Sequence, residues 1–163
     1  MEIIKAEKAH IQTIRTLADE VWPETFKELL SPEQIAYMIE MMYSELSLEK
    51  QMAEGHQYLL AKKDGEYLGY VSYELNYKGT GYTKIHKIYV LPAGQGTGVG
   101  RLFIETVSGI AKENNNTGVS LNVNRYNKAI NFYRRMGFEI AGSEDIDIGN
   151  NFLMEDYIMN KEF

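Results

Sequence analysis

Apolar side chains recur at helical spacing near the start of the chain, where Ile11, Ile14, Leu17, Ala18 and Val21 share one face of a segment from about 8 to 20. Residues 2–6 before it read as a short strand, and Trp22-Pro23 is expected to end the helix, because proline has no N–H to continue the ladder. At Ser31-Pro32-Glu33-Gln34 a second helix start is marked by a serine cap, a first-turn proline and a glutamine at the capping-box position. Ile35, Met38, Ile39 and Met42 form its apolar face, and Ser47 is expected to cap a further short helix ending near Gly55.

The period then changes. Residues 57–62 and 66–77 are rich in Tyr, Leu and Val and flank Asp64-Gly65, a hairpin turn signal. Residues 82–91 predict a third strand that Pro92 stops. A helix over 99–113 places Val99, Leu102, Phe103, Val107 and Ile110 on one face. After the Asn114–Gly118 turn come a strand at 119–123, a helix at 127–136, a short strand at 138–142 and a last strand at 151–160. The order β-α-α-β-β-β-α-β-α-β-β predicts an α+β protein with a mixed sheet. No repeat or Pro- or Ser-rich linker interrupts the 163 residues, so residues 1–163 read as one domain.

Composition narrows the function classes. An apolar fraction of 44% and a charged fraction of 25% are those of a water-soluble globular protein. No apolar run approaches the roughly 20 residues of a membrane helix, and the first ten residues lack a signal-peptide core. The chain has no cysteine, which excludes disulfides and thiolate metal sites and fits a reducing cytoplasm. Its three histidines, His10, His56 and His86, stand at no metal-ligand spacing, so no metal is expected. A net charge of −6 argues against nucleic acid and anionic membrane as partners and favours a cationic small molecule or basic peptide.

The stretch VLPAGQGTGVGR, residues 90–101, puts a glycine at every second position between a strand and a helix. Such a turn uncovers backbone N–H groups at a helix N-terminus, where the dipole also favours an anion. The dinucleotide fingerprint fails here, since starts at Gly94 and Gly96 end on Val99 and Arg101, and there is no Gly-Lys pair for a P-loop. A purely structural turn is the alternative.

Gln95-Gly96-Thr97-Gly98-Val99-Gly100 is similar to Q/R-x-x-G-x-G/A, the pyrophosphate loop of the GNAT acetyltransferases, and lies behind a strand ending in Val90-x-Pro92 as that loop does. Further on, Asn127-Lys128-Ala129-Ile130-Asn131-Phe132-Tyr133-Arg134-Arg135-Met136-Gly137-Phe138 resembles the family's N-x-x-A-x-x-F-Y-x-x-x-G-F signature. Trp22–Phe26, Leu30–Glu33 and the tail from Gly149 through Glu155–Met159 resemble the bacterial spermidine/spermine branch. The resemblance implies a mostly antiparallel sheet with a splayed central strand pair, helices on both faces, acetyl-CoA as cosubstrate, an amine acceptor such as a polyamine, and a possible homodimer.

It also implies roles. The main chain of Ile88, Tyr89 and Val90 would pair with the pantetheine arm, one N–H near Val90 polarising the thioester carbonyl. Gln95, Gly96, Thr97, Gly98, Val99, Gly100 and Arg101 would hold the pyrophosphate, and Asn127 and Phe132 would contact the coenzyme. Asn127 can equally cap its helix. Tyr133 sits where the family uses a tyrosine to protonate the leaving sulfur, although with twelve tyrosines in the chain a packing role is the default.

Amine acetylation also needs a base, since an alkylammonium of pKa about 10.4 is neutral in only about one molecule in 2,500 at pH 7. His86, on the strand before the loop, suits that task, and related enzymes often carry Glu near this position. A packing histidine, with water as base, is the competing reading. With no cysteine to carry acetyl, transfer is expected to be direct, in a ternary complex. A peptide acetyltransferase or a non-catalytic acetyl-CoA-binding regulator are the other functions this sequence allows.

Overall fold

A computed structural model describes the whole chain, Met1–Phe163. Seven strands, β1 (Glu2–Lys5), β2 (Gln57–Lys63), β3 (Glu66–Glu74), β4 (Tyr82–Val90), β5 (Gly118–Asn124), β6 (Glu139–Gly149) and β7 (Phe152–Glu162), combine with five helices, α1 (Ile11–Phe26), α2 (Pro32–Tyr43), α3 (Glu45–Ala53), α4 (Val99–Glu113) and α5 (Ala129–Arg135). The strands follow the order β1-β2-β3-β4-β5-β7-β6 in one sheet. All defined ladders are antiparallel except β4–β5. That parallel ladder joins Tyr82–Ile85 to Gly118–Leu121 and stops there, while β4 runs on to Val90 and β5 to Asn124.

Two compact units divide the chain. The first holds Met1–Tyr73 and Lys87–Phe103. Its antiparallel β1–β2–β3 ribbon turns at Asp64-Gly65, both at positive φ (51° and 80°), the backbone that a two-residue hairpin loop demands. Ile14, Ala18, Trp22, Leu48, Leu60 and Tyr70 fill its core.

Ser31 caps α2 as expected, its Oγ accepting from the Gln34 N–H at 3.1 Å, whereas the Gln34 amide turns inward to Met38 Sδ. The cap of α3 is Ser44, not Ser47: Ser44 Oγ accepts from the Ser47 N–H at 3.2 Å, so the helix begins earlier. The expected break at Trp22-Pro23 does not occur, since α1 continues to Phe26. Trp22 and Phe26, one turn apart with rings 4.5 Å from each other, both pack on the Tyr89 ring. Burying each is worth about 2 kcal/mol, enough to offset the roughly 3 kcal/mol that an interior proline costs.

The second unit holds Glu74–His86 and Ile104–Phe163. Along β5, Val119, Leu121 and Val123 are buried while Ser120 and Asn122 lie on the opposite, half-open side. The buried stripe of α4 is Val99, Phe103, Ile104, Val107 and Ala111, rotated slightly from the expected face, with Leu102 and Ile110 at its margin. The strand expected at 138–142 extends to Gly149, because β6 and β7 form one long hairpin closed by Gly149, Asn150 and Asn151, all at positive φ.

Candidate functional site

In the first unit, β4 delivers the chain to the glycine stretch. Pro92–Gly94 form one 3-10 turn, and Gly94 is buried so closely that a Cβ there would stand 2.9 Å from Val90 Cγ1. Gly96 and Gly98 adopt φ of +78° and +87° with open space around them. Only glycine takes this backbone without strain, and it leaves residues 95–98 exposed.

The first helical bond of α4 runs from the Leu102 N–H to the Gly98 carbonyl, at 2.9 Å. The N–H groups of Gly98, Val99 and Gly100 therefore face out of the helix start with no backbone acceptor. Thr97 turns its hydroxyl back onto the Gly94 carbonyl and so fixes the loop rather than reaching outward. Beside it, Val21, Glu24 and Thr25 of α1 line a cavity of about 240 Å3 with Val90, Pro92 and Gln95. The Gln95 amide reaches the Val90 carbonyl at 3.4 Å. Glycine loop and strand end thus meet at one opening.

Among the sequence-predicted residues on β4, Tyr89 packs its ring against Trp22, Phe26 and Tyr70. Lys87, which the sequence reading passed over, is 7% exposed. Its ammonium donates to Gln51 Oε1 and Tyr58 Oη, both at 2.6 Å, and lies over the Tyr43 and Tyr58 rings. No carboxylate faces it, and burial pushes its pKa down to about 7. Strand alternation was the one available signal, because Lys87 shares a side with Thr83, Ile85 and Tyr89.

In the second unit, His86 is half-buried, with Nε2 3.1 Å from Glu74 Oε1 and its ring edge-on to Tyr77 at 5.4 Å. The carboxylate fixes the ring orientation. Asn127 Oδ1 accepts from the Ala129 N–H at 2.9 Å, so the helix-start role is real and leaves its amide Nδ2 available. Tyr133 follows on α5, 7% exposed, against Phe132 at 5.4 Å and Phe138 at 5.9 Å. Its hydroxyl bonds to no protein group, and burial raises the phenol well above its ordinary pKa, keeping it protonated through the neutral range.

A further cluster on the same unit escaped the sequence reading. Lys84 donates to Asn122 Oδ1, and Asn122 Nδ2 donates to Asp156 Oδ2 at 3.3 Å. Asp156 is 5% exposed, and burial raises its pKa.

The model of the acetyltransferase (GNAT) family matches residues 12–138. The chain belongs to the GNAT acetyltransferase family. An uncharacterized N-acetyltransferase from Mycobacterium tuberculosis is 26% identical over 152 residues, 91% of this chain and 95% of the relative, and its Mycobacterium bovis counterpart matches equally. The fold is that of solved GNAT structures. The PaiA N-acetyltransferase of Thermoplasma acidophilum, crystallised with coenzyme A, superposes with a TM-score of 0.82 at 23% identity over 99% of this chain and 98% of that one. The ribosomal-protein-S18-alanine N-acetyltransferase of Escherichia coli gives 0.73 at 16% identity over 99% and 92%. As a GNAT member this chain is an acyltransferase of the acetyl-CoA-dependent kind. No helix is long and apolar enough to cross a membrane.

Proposed function

We propose that this GNAT enzyme transfers acetyl from acetyl-CoA directly to the primary amine of a small cationic molecule, a polyamine being the acceptor its acidity favours. The observation that carries the coenzyme half is the row of outward N–H groups at Gly98, Val99 and Gly100, which fits a diphosphate. Gly96 and Arg101 complete that grip, while Gln95 and Thr97, whose N–H groups bond back to the Pro92 and Gly94 carbonyls, set the shape of the loop. Coenzyme A in the Thermoplasma relative supports the same reading.

Acetyl-CoA supplies the activated acyl group, and the chain does the rest. The main chain of Ile88, Tyr89 and Val90, where the β5 ladder has stopped, aligns the pantetheine arm, with Asn127 and Phe132 as further contacts. An N–H near Val90 stabilises charge developing on the carbonyl oxygen, and loss of such a donor costs about 100- to 1,000-fold in rate. His86, held by Glu74, takes the ammonium proton. As the C–S bond breaks, Tyr133, protonated at neutral pH, gives its proton to the departing sulfur, and the surplus proton on the newly acylated nitrogen restores the phenol.

The test is a free-thiol assay with spermidine, spermine, single amino acids and a basic peptide. Acetylation of the polyamines supports the proposal. Acetylation of the peptide alone would replace it with protein acetylation, the activity named for the E. coli relative. Tyr133→Phe is expected to lower kcat by about 100-fold while calorimetry finds coenzyme A affinity retained. Unchanged turnover would remove Tyr133 from the chemistry.

A further inference from the structure

The polar side of the second unit carries a buried carboxylate with one oxygen unmatched. Asp156 Oδ1 is sealed from solvent and has no hydrogen-bond partner, although its other oxygen accepts from Asn122. The nearby cations direct their hydrogen bonds to other atoms. Arg125 spends its guanidinium on Asp145 at 2.6 Å and on the main-chain carbonyl of Asp156 at 3.3 Å. Lys84 is bonded to Asn122. Glu144, opposite Asp156 in the β6–β7 register, adds a second, exposed carboxylate that disfavours ionisation of the first. Asn160 Oδ1, on the same side of β7, is also an acceptor without a donor. A buried acceptor left unmatched costs about 1–3 kcal/mol, and neither Lys84 nor Arg125 brings a donor to this oxygen. What it lacks is a charged donor of its own.

The same side of the sheet carries His86. Lys84 and His86 stand two residues apart on β4 and so point to one face, and the Lys84–Asn122–Asp156 chain of hydrogen bonds crosses that face from β4 to β7. From β4 to β7 is two strand spacings, on the order of 10 Å. From this geometry we infer that Asp156, with Asn122 and Glu144, forms a subsite for the second ammonium of an aliphatic diamine whose reacting amine lies at His86. The subsite rests on the proposed amine acetylation and selects acceptors with two charges at polyamine separation. Binding gives Asp156 Oδ1 its missing donor. The Lys84 ammonium competes for the same carboxylates, so its removal should strengthen the subsite.

The test compares spermidine with n-butylamine as acceptors for the wild type, Asp156→Asn, Glu144→Gln and Lys84→Met. Asp156→Asn should raise KM for spermidine by about 10-fold or more, the loss expected when a buried charge pair is broken, and leave KM for butylamine within about 2-fold. Glu144→Gln, exposed and harmless to folding, should move spermidine KM the same way by less, and Lys84→Met should lower it. Equal losses for both amines, or no response to any substitution, would overturn the subsite. Calorimetric binding of spermidine to the coenzyme A-loaded protein needs no transfer. If no amine is acetylated yet Asp156→Asn abolishes that binding, the subsite stands and the activity reading falls. If spermidine is acetylated but binds and reacts indifferently to these changes, the activity stands and the subsite falls.

Discussion

Lys87 is a lysine inside an aromatic box, with an amide oxygen and a phenol for partners and no carboxylate. Burial lowers its folded-state pKa to about 7 from the ordinary 10.5. Between those values the unfolded chain holds a proton that the folded chain has lost, so stability rises with pH from about 7 towards 10.5, and the full penalty of the buried charge is felt below 7. Lys87→Met should therefore stabilise the protein at pH 6.5, by about 1–4 kcal/mol, the range found when buried charges give way to apolar groups. The gain should shrink towards pH 9.5. Urea unfolding of both proteins across that range checks it, and a gain independent of pH would show that Lys87 does not titrate there. Gln51 and Tyr58 keep their own hydrogen bond in the variant, so no new orphan is created.

His86 makes the opposite kind of residue-scale claim. If it is the base, His86→Ala should depress turnover at neutral pH and recover part of it at high pH, where more amine arrives already neutral. An unaltered pH–rate profile would leave the carboxylate-held imidazole as packing.

At the scale of elements, most of the fold could be read from period and punctuation. The 99–113 helix is found at those bounds because its apolar stripe is regular and glycines fix its start. The Asp64-Gly65 hairpin follows from two residues that tolerate positive φ. What failed has two causes, a non-local contact at Pro23 and a competing local cap at Ser47. Pro23 should stop a helix, yet Trp22 and Phe26 bury against Tyr89, sixty-odd residues away, and carry α1 past it. Ser47 is a good cap by type, but its hydroxyl is taken by the Gln51 amide at 2.9 Å while Ser44 caps. Ser44→Ala should thus cost about 1 kcal/mol in a denaturant melt, and Ser47→Ala less.

The site divides the same way. Gln95–Arg101 and Asn127–Phe138 were legible as motifs because backbone shape dictates their residues. Lys87 and Asp156 were not, because nothing in their sequence neighbourhood says they are buried. Gly98→Ala tests the legible part. No atom lies near its Cβ, so the effect is the backbone alone, about 1–2 kcal/mol for a left-handed alanine. It should weaken coenzyme A binding in calorimetry while far-UV circular dichroism stays unchanged.

On the scale of the whole molecule, a net charge of −6 acts before any contact forms. A dicationic acceptor drifts down the field of an acidic protein, and that steering is lost once ionic strength shortens the Debye length from about 30 Å at 0.01 M to about 8 Å at 0.15 M. If the acceptor is a polyamine, kcat/KM should fall steeply with added salt, while the same parameter for an uncharged arylamine stays nearly level. The contrast separates field from site. A salt effect shared by both acceptors would instead report weakened binding of the anionic coenzyme at the Gly98–Gly100 amides. The two slopes, measured at saturating and at limiting acetyl-CoA, tell which charge the protein's field serves.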